Sequence, residues 1–141
     1  MFTYLGIAGK INDLDIKEKT LQESDMIFLE GYLWDEGEPQ KAFNKAIKYS
    51  NKVAMTLSDK FCVDRHRVNF LELVKNKLDI AFANEQEMIS LIEAKNFQDV
   101  VTFAKQIKKL IVITRGEKGA IAIFGEKTIE VGVKKNLNII D

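Results

Sequence analysis

The sequence predicts an α/β domain: a mainly parallel sheet flanked by helices, ending in a C-terminal antiparallel hairpin. Three observations predict it. Short apolar runs alternate with stretches of helical period along most of the chain. The central runs are apolar at nearly every position, the pattern of strands buried on both faces. After residue 114 the period changes from that of a helix to that of alternating strands. Strands alternating with helices imply parallel pairing, right-handed crossovers and a sheet covered on both sides.

The elements follow in order. Met26-Ile27-Phe28-Leu29 is the first strand-like run, and Glu30-Gly31-Tyr32 and Asp35-Glu36-Gly37-Glu38-Pro39 after it are rich in turn residues. Ala42, Phe43, Ala46 and Ile47 share one helical face, with Pro39 where a first turn accepts it. Val53–Leu57 is the next strand. A helix carrying Val63, Arg67, Phe70, Leu71 and Val74 follows, then a strand over Leu78–Ala83. Met88, Leu91 and Ile92 mark a short helix. Phe97, Val100, Val101, Ala104 and Ile107 form the clearest amphipathic stripe. Leu110–Thr114 is the fourth strand. Gly119–Phe124 and Thr128–Val133, joined by Gly125-Glu126-Lys127, read as a hairpin.

Composition narrows the function. The 141 residues carry 21 Lys+Arg and 21 Asp+Glu, so the long-range field of a nucleic-acid binder is absent and no nucleic-acid partner is expected. One cysteine excludes a disulfide framework or a multi-cysteine zinc site, and one histidine excludes a multi-histidine metal cluster. No run reaches the roughly 18 apolar residues of a membrane span. Met1-Phe2-Thr3-Tyr4-Leu5-Gly6 lacks the basic region of a secretory signal. With the free Cys62, these features predict a cytoplasmic protein without a membrane partner.

Ligands of open parallel sheets bind beyond the carboxyl ends of the strands. The segments predicted to converge there are Glu30-Gly31-Tyr32, Ser58-Asp59, Asn84-Glu85-Gln86-Glu87 and Thr114-Arg115-Gly116-Glu117-Lys118-Gly119. Asn84 and Glu87 have the spacing of a reciprocal capping box at a helix start. They are also oxygen donors suited, directly or through water, to a hard cation such as magnesium. The 114–119 segment reads either as a glycine turn between strands or as a phosphate or ribose contact, in which glycines expose backbone N–H groups, Thr114 adds a hydroxyl and Arg115 a fork of donors. It lacks the spacing of a P-loop. Ser58-Asp59 reads as a helix cap, Cys62 as a small buried apolar residue, and His66 as a surface or structural residue. Arg65-His66-Arg67 reads as a solvated helix face, with a phosphate site as the alternative. Glu30 and Asp35 either reach the ligand edge or solvate their loops.

With these segments in hand, the chain resembles the ribokinase/PfkB family of sugar and nucleoside kinases, and within it the adenosine-kinase-like branch. The matching stretches are Thr3–Gly6, Leu29–Asp35, Leu57–Arg67, Phe82–Glu87 and Thr114–Ala120, in the family's order. The resemblance implies a ribokinase-like fold and ATP-dependent, Mg-assisted phosphorylation of a sugar or nucleoside hydroxyl. It implies Asn84 and Glu87 as the metal-associated pair of an N-x-x-E motif. It implies Thr114, Arg115, Gly116 and Gly119 as nucleotide-site residues.

The departures carry equal weight. The family's catalytic signature, D-T-x-G-A-G-D, ends in the Asp that accepts the substrate hydroxyl's proton. Here Asp141 aligns with the signature's first Asp, and Met1 aligns just before Thr3. The expectation is therefore a single partial domain over 1–141, lacking the lid, most substrate contacts and the base. As a kinase fragment it would be inactive alone and complemented by another polypeptide or self-associated. The alternative is a non-catalytic remnant or a weak nucleotide-binding or interaction domain.

Overall fold

The structure, a computed structural model, describes residues 6–34 and 39–134. The expectations for Thr3–Leu5, Asp35 and Asp141 lie outside these residues. Six strands form one sheet in chain order: β1 (Ile27–Glu30), β2 (Val53–Thr56), β3 (Ile80–Asn84), β4 (Leu110–Thr114), β5 (Ala120–Phe124) and β6 (Lys127–Val131). The first four are parallel, and β5 and β6 each run antiparallel to the strand before. The mainly parallel sheet with a terminal hairpin is as the sequence predicts.

The helices are α1 (Glu18–Glu23), α2 (Pro39–Tyr49), α3 (Lys60–Glu72), α4 (Glu85–Ile92) and α5 (Phe97–Ile107). Helices α3, α4 and α5 begin where side chains satisfy free backbone N–H groups. Asp59 accepts from the Cys62 N–H at 2.6 Å, and Asn84 and Asn96 each form a full capping box with the acidic residue three places on. Helix α3 is bent at His66, whose φ of −115° and ψ of 21° depart from helical values, and it runs into a π-helical turn over Leu73–Lys77. His66 lies among rings, 6.5 Å from Trp34 and 5.8 Å from Phe70 between centroids, so it has the structural surroundings read from the sequence. Arg67 pairs with Asp64 at 3.2 Å and Glu93 at 2.8 Å, tying α3 to the end of α4.

Strand order follows chain order without reversal. Crossovers of one hand then all fall on the same side of the sheet. The burial pattern agrees. Leu29, Val53, Met55, Ala81, Ala83, Ile111, Ile113, Ile121 and Ile123 share one face and are buried in a single core with Val63, Phe70, Val74, Met88, Leu91, Val100 and Ala104 from the helices. Each fully buried large side chain there contributes about 1.5–3 kcal/mol.

The expectation of a sheet covered on both faces is not met among the described residues. Register places Phe28, Ile80, Phe82, Leu110, Val112, Ala122, Ile129 and Val131 together on the second face. There Phe28 is 56% exposed, Phe82 36% and Ile129 67%. The cause is topological: covering a second face requires the strand order to reverse, and this order does not.

Three short N-terminal elements were not read from the sequence: 3₁₀ turns at Gly6–Lys10 and Asp13–Asp15, and α1. Each is too short to show an amphipathic period. No described helix is long and apolar enough to cross a membrane.

Candidate functional site

Strands β3 and β4 end level with each other, so Asn84 pairs in register with Thr114. That pairing brings the start of α4 against the turn that follows β4. Together they form a cleft of about 320 Å³ lined by Asn84, Glu85, Gln86, Thr114, Arg115, Gly116 and Lys118. The volume lies at the lower end for a small-molecule site.

On the α4 side, the Asn84 N–H donates to Glu87 Oε2 at 2.9 Å and its Nδ2 to Oε1 at 2.6 Å. The Glu87 N–H donates to Asn84 Oδ1 at 2.8 Å. The capping box is therefore complete. Glu87 is only 4% exposed and lies behind the cleft wall, whereas Asn84 is exposed on it. Burial pushes the Glu87 carboxyl above its ordinary value. The Asn84 hydrogen bonds pull it partway back, and the charges of Asp59 and Glu30 push it further up.

Those two acids belong to the neighbouring strand ends. The Ser58 hydroxyl donates to Glu30 Oε1 and accepts the Tyr32 N–H at 3.0 Å, which knits the end of β1 to that of β2. Ser58 does this in the left-handed region, with φ of 74°, a conformation costly for a residue with a Cβ. A hydrogen bond to Asp59 pushes the Tyr32 phenol up to about 12. Cys62 is fully buried beneath, its thiol against the Gly31 carbonyl at 3.4 Å.

On the turn side, the two glycines differ. Gly116 has φ of 54° and open space around it, and it faces the cleft. Gly119 has φ of 86°, and a Cβ there would stand 1.9 Å from the Val131 carbonyl oxygen. Its N–H donates to the Gly116 carbonyl at 3.0 Å, and its own carbonyl accepts the Arg115 N–H at 2.7 Å. Gly119 thus closes the turn and admits the backbone of β6.

Arg115 has partners that the sequence reading missed. Its Nε donates to Glu85 Oε2 at 2.9 Å, and its guanidinium lies 3.8 Å over the Phe97 ring. Both members of the pair are mostly shielded from water. The turn is thereby braced against the starts of α4 and α5. Helix-start positions of Glu85 and Phe97 are visible in the sequence, but their meeting with residue 115 is a tertiary contact with no local signal. Lys118, at the cleft, was also not singled out.

Among the described residues, no three His, Cys, Asp or Glu side chains stand close enough to enclose a metal ion. The donors do not fit a protein-made cage. Their chemistry suits only an ion that keeps most of its waters, as Mg²⁺ does.

The pfkB family carbohydrate kinase profile matches residues 3–141. The chain superposes on adenosine kinase from Sinorhizobium meliloti with a TM-score of 0.87 and 32% identity, over 94% of this chain and 42% of that one. For a sugar kinase candidate from Rhizobium etli the values are 0.81 and 31%, over 89% and 39%. An E. coli ribokinase II candidate, solved with ATP and Mg²⁺, shares the fold with a TM-score of 0.81 at 16% identity, over 99% and 48%. A comparison with curated proteins returns no match. The chain spans less than half the length of each of these solved structures. Family profile, sheet order and strand-end cleft agree, and the chain belongs to the PfkB family of carbohydrate kinases.

Proposed function

We propose that this chain is a partial PfkB domain carrying one wall of the site at which a kinase of this family holds Mg-ATP for transfer to a sugar or nucleoside hydroxyl. The observation that carries the reading is the register pairing of Asn84 with Thr114, which joins the N-x-x-E segment to the T-R-G-x-x-G turn across one cleft. In this reading Thr114 donates its hydroxyl to phosphate. Gly116 lets phosphate approach the backbone, and Lys118 adds positive charge at the rim. Gly119 keeps the turn closed. Arg115 holds the turn in place, with its remaining N–H donors directed to the nucleotide.

Mg²⁺, when bound, neutralises charge on the transferring phosphate. Asn84 would face its hydration shell from the cleft, and Glu87, held behind it by the Asn84 hydrogen bonds, would supply negative charge that favours the cation. The chain's own contribution is positioning and electrostatics, the terms that dominate phosphoryl transfer.

The sequence contains no D-T-x-G-A-G-D segment. We therefore propose that the chain alone binds nucleotide without transferring phosphate. A positioned general base contributes roughly 10²–10⁴-fold, and an oxyanion site a further 10²–10³-fold. Isothermal titration of Mg-ADP and Mg-ATP tests this. Binding that weakens in Thr114→Val and Asn84→Ala supports the reading. Absence of binding in the folded wild type overturns it, and ATP-dependent phosphorylation of adenosine or a sugar by the pure chain overturns its second half.

A further inference from the structure

We propose that the groove between α2 and α3 is a second binding site, and that its ligand is a small zwitterion of the α-amino acid class with a polar side chain. The groove shares no residue with the strand-end cleft, and the inference does not depend on nucleotide binding.

The sequence places polar residues on both walls. Gln40 and Asn44 stand one turn apart on α2, and Asn69 and Glu72 stand one turn apart on α3. The π-helical turn adds Leu73 and Lys77, and Trp34 completes a cavity of about 170 Å³. Trp34 ends the 3₁₀ turn that follows β1 and is only 8% exposed. Its ring is held edge-on by Phe43 at 4.9 Å and Phe70 at 5.8 Å. Its indole N–H has no hydrogen-bond acceptor. A buried donor without an acceptor costs stability and calls for a partner. Trp34 is a wall of this cavity, so a group seated there can supply the acceptor.

Charge selects the ligand. Glu72 and Lys77 face the same cavity, yet among the described residues no ion pair joins them. Asn76 Nδ2 instead donates to Glu72 Oε2 at 2.6 Å, which orients the carboxylate. A zwitterion answers both charges. Its carboxylate takes the Lys77 ammonium and the Trp34 N–H, and its ammonium group meets Glu72. A plain anion would leave Glu72 facing like charge, and a plain cation would do the same to Lys77. The carboxamides of Gln40, Asn44 and Asn69 hydrogen-bond no described residue, and each offers a donor and an acceptor to a polar side chain. The cavity equals the share of roughly five or six waters, room for a molecule the size of glutamine and too little for a nucleotide.

Trp34 is the one tryptophan of the chain, so its fluorescence reports on this cavity directly. The test titrates the full chain with L-glutamine, N-acetyl-L-glutamine, which lacks the ammonium group, L-glutamine α-amide, which lacks the carboxylate, and ribose. Expected is a saturable change with L-glutamine alone, with a dissociation constant on the order of 1 mM for a ligand of about ten non-hydrogen atoms. The urea midpoint should rise with L-glutamine, as it does for any ligand of the folded state. Glu72→Gln and Lys77→Met, both at exposed positions, should each weaken L-glutamine by about fivefold or more. Thr114→Val, in the other cleft, should leave it unchanged.

Three results overturn the proposal. The first is the absence of a saturable signal with L-glutamine by both fluorescence and calorimetry. The second is saturation by ribose, or by the two singly charged analogues as well as by L-glutamine, which removes the zwitterion. The third is L-glutamine binding indifferent to both Glu72→Gln and Lys77→Met.

Discussion

Asn84 and Glu87 hold each other from both directions at the start of α4: the backbone N–H of each donates to the other's side chain, at 2.9 and 2.8 Å. The pair is a structural cap and a candidate cation-facing group at once, and substitutions separate the two roles. Asn84→Ala loses the cap and leaves the buried Glu87 short of donors. It should destabilise the protein by about 1–3 kcal/mol. Glu87→Gln keeps an acceptor and removes a repelled charge, so stability at neutral pH should change by less than about 1 kcal/mol while Mg²⁺ dependence of nucleotide binding falls. Urea unfolding and titration calorimetry with and without Mg²⁺ measure the two effects.

Glu87 also predicts a pH dependence. Its carboxyl sits above its ordinary value of 4.5 in the folded protein, with burial as the largest cause. The folded state then holds the proton more tightly than the unfolded chain. The contribution to stability is fully present below 4.5 and is lost as pH rises through the folded value. The stability of wild type minus that of Glu87→Gln should therefore fall as pH rises from 4.5, and should be flat below it. Urea unfolding of both proteins across this range checks the sign.

The Arg115 brace predicts that charge alone is insufficient at that position. Lysine cannot reproduce the planar stack on Phe97 together with the Nε bond to Glu85. Arg115→Lys should cost about 1 kcal/mol, in the range of a partly shielded cation–π contact. Phe97→Leu should weaken the wild type more than it weakens Arg115→Lys, and a double-mutant cycle by chemical denaturation reads the coupling.

The two glycines of the turn should respond differently to alanine. Gly116→Ala meets open space, so its cost is the left-handed backbone alone, roughly 1–2 kcal/mol. Gly119→Ala adds a collision with the Val131 carbonyl, which only a shift of β6 relieves. Hydrogen exchange at β6 amides should accelerate in Gly119→Ala and stay near wild type in Gly116→Ala.

What the sequence disclosed follows from range of interaction. Helix α5 was legible because its apolar residues repeat at the helical period, and β4 because its short run is apolar at nearly every position. The Asn84–Glu87 box was legible because both partners lie within one turn. The site's convergence was legible in outline, since parallel strands place their carboxyl ends together. The Arg115–Glu85–Phe97 cluster was not, because it joins three elements through side chains. The open face was misread for a different reason. Phe28, Ile80 and Phe82 carry the apolar signature of a covered strand, but the cover is not built by any described residue. Strand composition reports what a face is suited to meet, and topology decides what meets it.

The close approach of Gly119 to Val131 makes β6 a lever on the cleft. The hairpin's last strand rests on the backbone of the very turn whose other end carries Thr114 and Gly116. Pulling β6 outward, or clamping it by adding a strand at the edge left unpaired among the described residues, must therefore move or stiffen the cleft-facing end of the turn. An event at the margin of the sheet is thus mechanically audible at its ligand edge.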